Sequence, residues 1–369
     1  MSDHKTLGDA VTLGTLELRN RIVMAPMTRM WSPGNVPNSR VVEYYRRRAE
    51  GGVGLIITEG TFVDHPAASG YPDVPAFYGE KALAGWKKVV DAVHGEGGKI
   101  APQLWHVGGI RRPRVEPGGD TPGYSPSGMA RPGKVTGHAM TQDDIDDVIA
   151  AFAKAAKDAM EIGFDAIELH GAHGYLIDQF FWDGTNTRDD AYGGDLAQRS
   201  RFAIELVRAV RNAVGPDFPI IFRWSQWKQQ DYSVRMCKTP DELAAFLAPL
   251  SEAGVDIFHC STRRFWEPEF EGSELNLAGW VRKLTGKPVI TVGSVGLNAD
   301  FLPEDNFVEF NEAETAALDG LEARLADGEF DLVAVGRALI ANPDWANRVL
   351  AGEYDGLKPY TKDMLTTLV

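Results

Sequence analysis

Short, almost uninterrupted apolar runs alternate along this chain with longer stretches in which apolar residues recur every three or four positions. A run that is apolar throughout suits a strand covered on both faces, and the longer repeat suits a helix with one buried stripe. Eight such runs can be counted, at residues 21–26, 54–59, 99–104, 165–169, 219–224, 256–260, 288–292 and 331–335. The intervening helices carry their own punctuation. Thr239-Pro240-Asp241-Glu242 offers an N-cap hydroxyl, a proline at the first helical position and a glutamate at the third, ahead of Leu243, Phe246, Leu247 and Leu250. Thr141 begins another helix, with Ile145, Val148, Ile149 and Phe152 on one face and Gly163 as its stop.

Eight βα units in 369 residues predict an α/β fold, a closed (β/α)₈ TIM barrel with loop insertions, because closure removes both sheet edges. An open doubly wound sheet is the rival. It predicts a G-x-G-x-x-G turn after an early strand, and no early strand here is followed by one. No compositional break, low-complexity linker or internal repeat divides the chain, so residues 1–369 are read as one domain.

Composition narrows the function classes. A formal charge of −14 disfavours binding to a nucleic acid backbone. The clusters Arg46-Arg47-Arg48 and Arg111, Arg112, Arg114 are expected to be solvated surface. No secretory leader pattern and no apolar run of the ~20 residues needed to span a bilayer is present, so a cytoplasmic enzyme with no membrane partner is expected. Cys237 and Cys260 are too few for a disulfide framework and match no zinc or iron–sulfur spacing.

In a barrel of this kind the active site forms where the strands end. The residues there are polar and varied: Ala25-Pro26-Met27-Thr28, Glu59-Gly60, Gln103-Leu104-Trp105-His106, His170 to Tyr175, Arg223, Gly293-Ser294 and Gly336-Arg337. The ends of the seventh and eighth strands commonly hold a phosphate on backbone N–H groups, and Arg337 adds a cation. His170, His173 and Tyr175 put two imidazoles and a phenol at one mouth, a set that can polarise a carbonyl and deliver a proton. The rival chemistry is a divalent-metal hydrolase or aldolase in which His170 and His173 are ligands, with His106, His259 or Glu168 completing the set. Arg223 ends a buried strand with no acidic neighbour in sequence, so it needs either an anionic ligand or a carboxylate from elsewhere in the chain.

From about Leu18 to about Leu350 the motifs resemble those of the Old Yellow Enzyme family of flavin-dependent ene-reductases. The resemblance is carried by residues 20–28, 57–60, 103–106, 168–176, the segment 186–201 with its Tyr192-Gly193-Gly194, and 335–338. It implies tightly but non-covalently bound FMN, lined by Ala25, Pro26, Met27 and Gly60. Gln103 would meet the pyrimidine edge, Thr28 flavin O4, and Arg223 N1 and C2=O. Gly293, Ser294, Gly336 and Arg337 would hold the phosphate. The resemblance further implies NADH or NADPH as reductant and a small-molecule substrate with an activated alkene. His170 and His173 would bind its carbonyl or nitro oxygen and Tyr175 would supply the proton, with Trp105, Phe265 and Trp266 as further pocket residues and no metal. Relatives with an iron–sulfur extension carry a cysteine cluster that this sequence lacks, so electrons are expected directly from the nicotinamide. Homodimers are common among such barrels, although no interface signature is legible. The acid- and Phe-rich segment 298–317 has no role that the sequence reveals.

Overall fold

The structure is a computed structural model and describes residues 5–300 and 311–369. All eight apolar runs form strands: β1 Ile22–Met24, β2 Leu55–Phe62, β3 Lys99–Trp105, β4 Ile167–His173, β5 Ile220–Lys228, β6 Ile257–Ser261, β7 Val289–Val292 and β8 Leu332–Val335. They close into one parallel barrel, with β8 pairing β1 through Val335 and Met24 and β4 pairing β5 through Ile167 and Ile220. The main outer helices are α1 Ser39–Glu50, α2 Glu80–Gly95, α3 Gln142–Glu161, α4 Arg201–Val214, α5 Pro240–Ala253, α6 Leu277–Thr285 and α7 Asp319–Ala326. After β8 the chain makes two short α-helical segments, Arg337–Ala341 and Trp345–Leu350, and a 3₁₀ turn, Lys362–Thr366.

The caps read from sequence form as hydrogen bonds. The Thr239 hydroxyl accepts from the Glu242 N–H at 3.2 Å, and Thr141 and Asp144 make a reciprocal capping box at the start of α3. Gly163, at φ +98°, takes the chain from α3 into β4.

Side chains on a strand alternate between faces, so each barrel strand feeds two cores. The outer one packs strands against helices. In α4 alone it buries Phe202, Leu206, Val207 and Val210, each contributing roughly 1.5–3 kcal/mol relative to exposure. The inner one holds Val23, Leu55, Ile57, Ile221, Ile257, Ile290 and Leu332, with the small Ala25, Ala101, Ala166 and Ala334. Its floor is a hairpin, Val11–Leu13 paired with Leu16–Leu18, whose Leu16 and Leu18 join the inner cluster from below.

Two basic clusters depart in part from the solvated expectation. Arg48 is fully buried, donating to the Leu339 carbonyl and lying 3.7 Å over the Tyr44 ring. Arg111 is buried too and donates to the carbonyls of Thr121, Ser69 and Val115. In both cases a planar guanidinium satisfies loop and helix-end carbonyls that would otherwise be orphaned. Around the segment 298–317, Leu297 bridges Thr315 and the Asn298 carboxamide accepts from Glu314 N; residues 301–310 lie outside the described residues.

Candidate active site

Four strands repeat one inward pattern, apolar below and polar above. Ala101, Gln103 and Trp105 face in from β3; Ala166, Glu168 and His170 from β4; Ile221, Arg223 and Ser225 from β5; and Ile257, His259 and Ser261 from β6. The polar members meet as a buried layer. Gln103 Nε2 donates to Glu168 Oε1 at 2.7 Å, and Glu168 Oε2 pairs with His259 Nδ1 at 2.6 Å. Arg223 Nη2 donates to Ser261 Oγ at 3.3 Å, and Ser261 Oγ lies 2.7 Å from His173 Nε2. Ser261 Oγ thus links the Arg223 guanidinium to the His173 ring and fixes the orientation of both.

Above this layer β4 ends in a strained turn that aims three side chains together. His173 and Gly174 take left-handed φ values of +66° and +77°. The Gly174 N–H donates to Asp178 Oδ2 at 2.7 Å, and its carbonyl accepts from Gln179 Nε2 at 2.7 Å. Asp178 is in turn ion-paired with Lys228 on β5, and both side chains are fully buried. The rings of His170 and His173 lie 5.1 Å apart, those of His170 and Tyr175 5.2 Å, and Tyr175 meets the Trp105 indole edge-on at 4.9 Å. Trp227 stacks on His173 at 4.7 Å and donates its indole N–H to the Ser261 carbonyl.

Electrostatics hold the imidazoles uncharged. Burial pushes His170 and His173 well below the usual histidine range, and the neighbouring Arg223 cation pushes further in the same direction. They are therefore neutral hydrogen-bond donors. Burial raises the Tyr175 phenol well above its usual value, so it keeps its proton at neutral pH.

The carboxylate that sequence left open for Arg223 is Glu168, the charge that opposes its desolvation. Both Glu168 oxygens are engaged by Gln103 and His259, however, and Arg223 Nε is buried without a hydrogen-bond partner. His170 Nδ1 and Trp105 Nε1 are buried and unpartnered as well. Orphaned donors at a barrel mouth are costly unless a ligand meets them, and this set suits the electron-rich edge of a flavin. Gly60 fits the same cradle: a Cβ there would come within 2.5 Å of the Trp105 ring. Ala25 is buried, Pro26 and Met27 half-buried and Thr28 exposed, lining the mouth beside β8, where Gly336 lies 3.6 Å from Met27 Sδ measured from an added Cβ.

At the ends of β7 and β8, Gly293 has φ +146° and its added Cβ would strike Thr262, so only glycine fits. Ser294, at φ +52°, donates its hydroxyl toward the carbonyls of Arg263 and Ala299. Arg337 is buried and donates to the carbonyls of Ala299 and Asp300. Phe265 is buried with its N–H on the Gly293 carbonyl, and the 40% exposed Trp266 meets it edge-on.

The further ligands required by the metal reading are committed elsewhere: His106 pairs with His65 at 2.9 Å, and His259 with Glu168. No group of three or more His, Cys, Asp or Glu side chains suited to a metal occurs among the described residues. Sequence reasoning missed Tyr71, Trp227, Ser261, Asp178 and Lys228. Of these, Ser261 and Lys228 carried a signal, since each continues the inward or buried register of a strand already recognised.

The model of the NADH:flavin oxidoreductase / NADH oxidase family matches residues 7–355. A Thermoanaerobacter brockii NADH oxidase is 37% identical over 355 residues, 94% of this chain; the chain spans only about half, 51%, of that protein. A 12-oxophytodienoate reductase 1 from Oryza sativa subsp. japonica is 34% identical over 362 residues, covering 95% of this chain and 88% of the rice protein. Among solved structures, a morphinone reductase superposes with a TM-score of 0.81 at 30% identity, covering 99% of this chain and 94% of its own. No helix among the described residues is long and apolar enough to cross a membrane.

Proposed function

Because the chain belongs to the NADH:flavin oxidoreductase / NADH oxidase family and is a flavin-dependent oxidoreductase of the Old Yellow Enzyme type, we propose that it reduces the activated C=C of α,β-unsaturated carbonyl or nitro compounds at the expense of NADH or NADPH. The observation that carries this reading is the convergence of two neutral imidazoles and one protonated phenol, His170, His173 and Tyr175, over a buried polar layer in which Arg223 Nε has no hydrogen-bond partner. Bound there, FMN supplies hydride to the β carbon after taking it from the nicotinamide.

Ala25, Pro26, Met27 and Gly60 would line the flavin, Gln103, Thr28 and Arg223 would hold the polar edge of its ring system, and Gly293, Ser294, Gly336 and Arg337 would hold its phosphate. His170 and His173 donate to the substrate's carbonyl or nitro oxygen, which withdraws electron density from the β carbon. Tyr175 then gives its proton to the α carbon from the opposite face, so that addition is net trans.

The test is anaerobic. The flavin bands of purified protein should bleach with NADH or NADPH and return on addition of 2-cyclohexenone. Tyr175→Phe should bleach normally yet lose alkene reduction by about 10²-fold or more. Unchanged cyclohexenone turnover in that variant would remove Tyr175 from the reaction.

A further inference from the structure

Tyr175 gives up a proton in every turnover and must recover one while remaining buried in an aromatic box. His170 and His173 face it, but burial and Arg223 hold both rings neutral, so neither arrives as an imidazolium with a proton to spare. Gln229, which also hydrogen-bonds Tyr175, has an amide that is no acid. The remaining partner is Tyr71, whose hydroxyl lies 3.4 Å from that of Tyr175. Tyr71 is only half-buried, whereas Tyr175 is buried, so of the two phenols it is the more exposed.

Its position is built rather than incidental. The Tyr71 ring stacks on Trp105 at 5.6 Å with an interplanar angle of 18°, on the same indole that Tyr175 meets edge-on. The loop beneath it is fastened by Arg111 to the Ser69 carbonyl, and Gly70 lies so close to Val107 that an added Cβ would come within 2.9 Å. The phenol is thereby held over the gap between the protein surface and Tyr175.

We propose that Tyr71 is the relay that returns a proton to Tyr175 after each turnover. This rests on Tyr175 being the proton donor. As the α carbon–hydrogen bond forms, the Tyr175 O–H bond breaks and leaves a phenolate. The Tyr71 O–H bond then breaks, its proton closes on the Tyr175 oxygen, and Tyr71 recovers a proton from water. No electrons move in these transfers beyond those carried by the hydride.

The test compares the Tyr71→Phe holoenzyme, which keeps the ring stack, with the unaltered enzyme. Enzyme reduced by one equivalent of NADPH and mixed anaerobically with 2-cyclohexenone should complete its first turnover within about 2-fold of the normal rate, because Tyr175 starts with its own proton. Steady-state kcat for the enone should fall about 10-fold or more at unchanged KM, with a larger solvent deuterium isotope effect and partial rescue by a small buffer acid such as formic acid. An unchanged kcat and isotope effect would overturn the relay, and so would a first turnover slowed as much as the steady state, which would make Tyr71 a packing residue. If Tyr175→Phe retains full alkene reduction, it is the donor assignment that has failed; if Tyr175→Phe is inactive and Tyr71→Phe is normal, only the relay has.

Discussion

Glu168 on β4 and His259 on β6 reach across the intervening strand to within 2.6 Å, Oε2 to Nδ1, with both side chains fully buried. Gln103 on β3 joins the same carboxylate, so one anion ties three strands together and balances Arg223. Glu168→Leu should cost about 3–5 kcal/mol, the cost of leaving a buried cation without its counter-charge, and Glu168→Gln nearly as much, because it removes the same charge while keeping only part of the hydrogen bonding. Urea unfolding of the cofactor-free protein, at constant m, measures both.

Behind the His173–Gly174 turn the logic repeats with Lys228 and Asp178. Lys228→Met should destabilise by about 3–5 kcal/mol, and adding Asp178→Asn should restore part of that, because the amide no longer strands a buried charge. A double-mutant cycle in denaturant reads the coupling, which additivity of the two single effects would refute.

Gly60 is a spatial requirement. Gly60→Ala pushes a methyl into the Trp105 ring, which contacts Tyr175 and Tyr71, and overpacking of this kind costs about 1–3 kcal/mol. We expect KM for cyclohexenone to rise several-fold. Gly336→Ala, whose added Cβ has no neighbour within 3.6 Å, should be mild in stability by comparison.

Stability should rise with pH across the acid side of neutrality. His65, His106, His170, His173 and His259 are all held below the usual range by burial, so they stay neutral in the fold and gain protons on unfolding once pH drops below about 6.5. That contribution is present above 6.5 and is lost as pH falls through it. Glu59 opposes it: burial raises its carboxyl to about 7, so the fold keeps a proton that the unfolded chain releases above about 4.3. Burial also raises Asp178 and Glu269, with the same sign as Glu59. Five histidines outnumber these carboxyls, and the denaturation midpoint of cofactor-free protein should be lower at pH 5.5 than at pH 7.5. Equal or higher midpoints at pH 5.5 would refute the expectation that the imidazoles outweigh the buried carboxyls.

The barrel was legible because each strand is apolar on both faces and each helix that was singled out carries its own cap, as Thr141 and Thr239 do. The polar layer was partly legible too: Gln103, His170 and Arg223 interrupt apolar runs at the points where a strand reaches the mouth. The contacts that organise these residues were not. Tyr71 and Tyr175 are separated by 104 positions, and Ser261 and His173 by 88, so no local pattern announces either pair. The basal hairpin escaped notice because its strands are three residues each, too short for periodicity to register. The aromatic pair Phe265-Trp266 was legible only as a loop after β6, and the edge-on packing of the buried Phe265 against the partly exposed Trp266 depends on which way that loop turns.

The hairpin bearing Leu16 and Leu18 has a kinetic meaning as well as a packing one. With the base of the barrel filled by these leucines, the polar layer communicates with solvent through the strand-end face. Under the proposed function, nicotinamide and alkene would share that one face and would use it in succession. A two-stroke cycle, with an excess of either partner slowing the other, is the kinetic pattern expected of that proposed reaction when the opposite end is plugged.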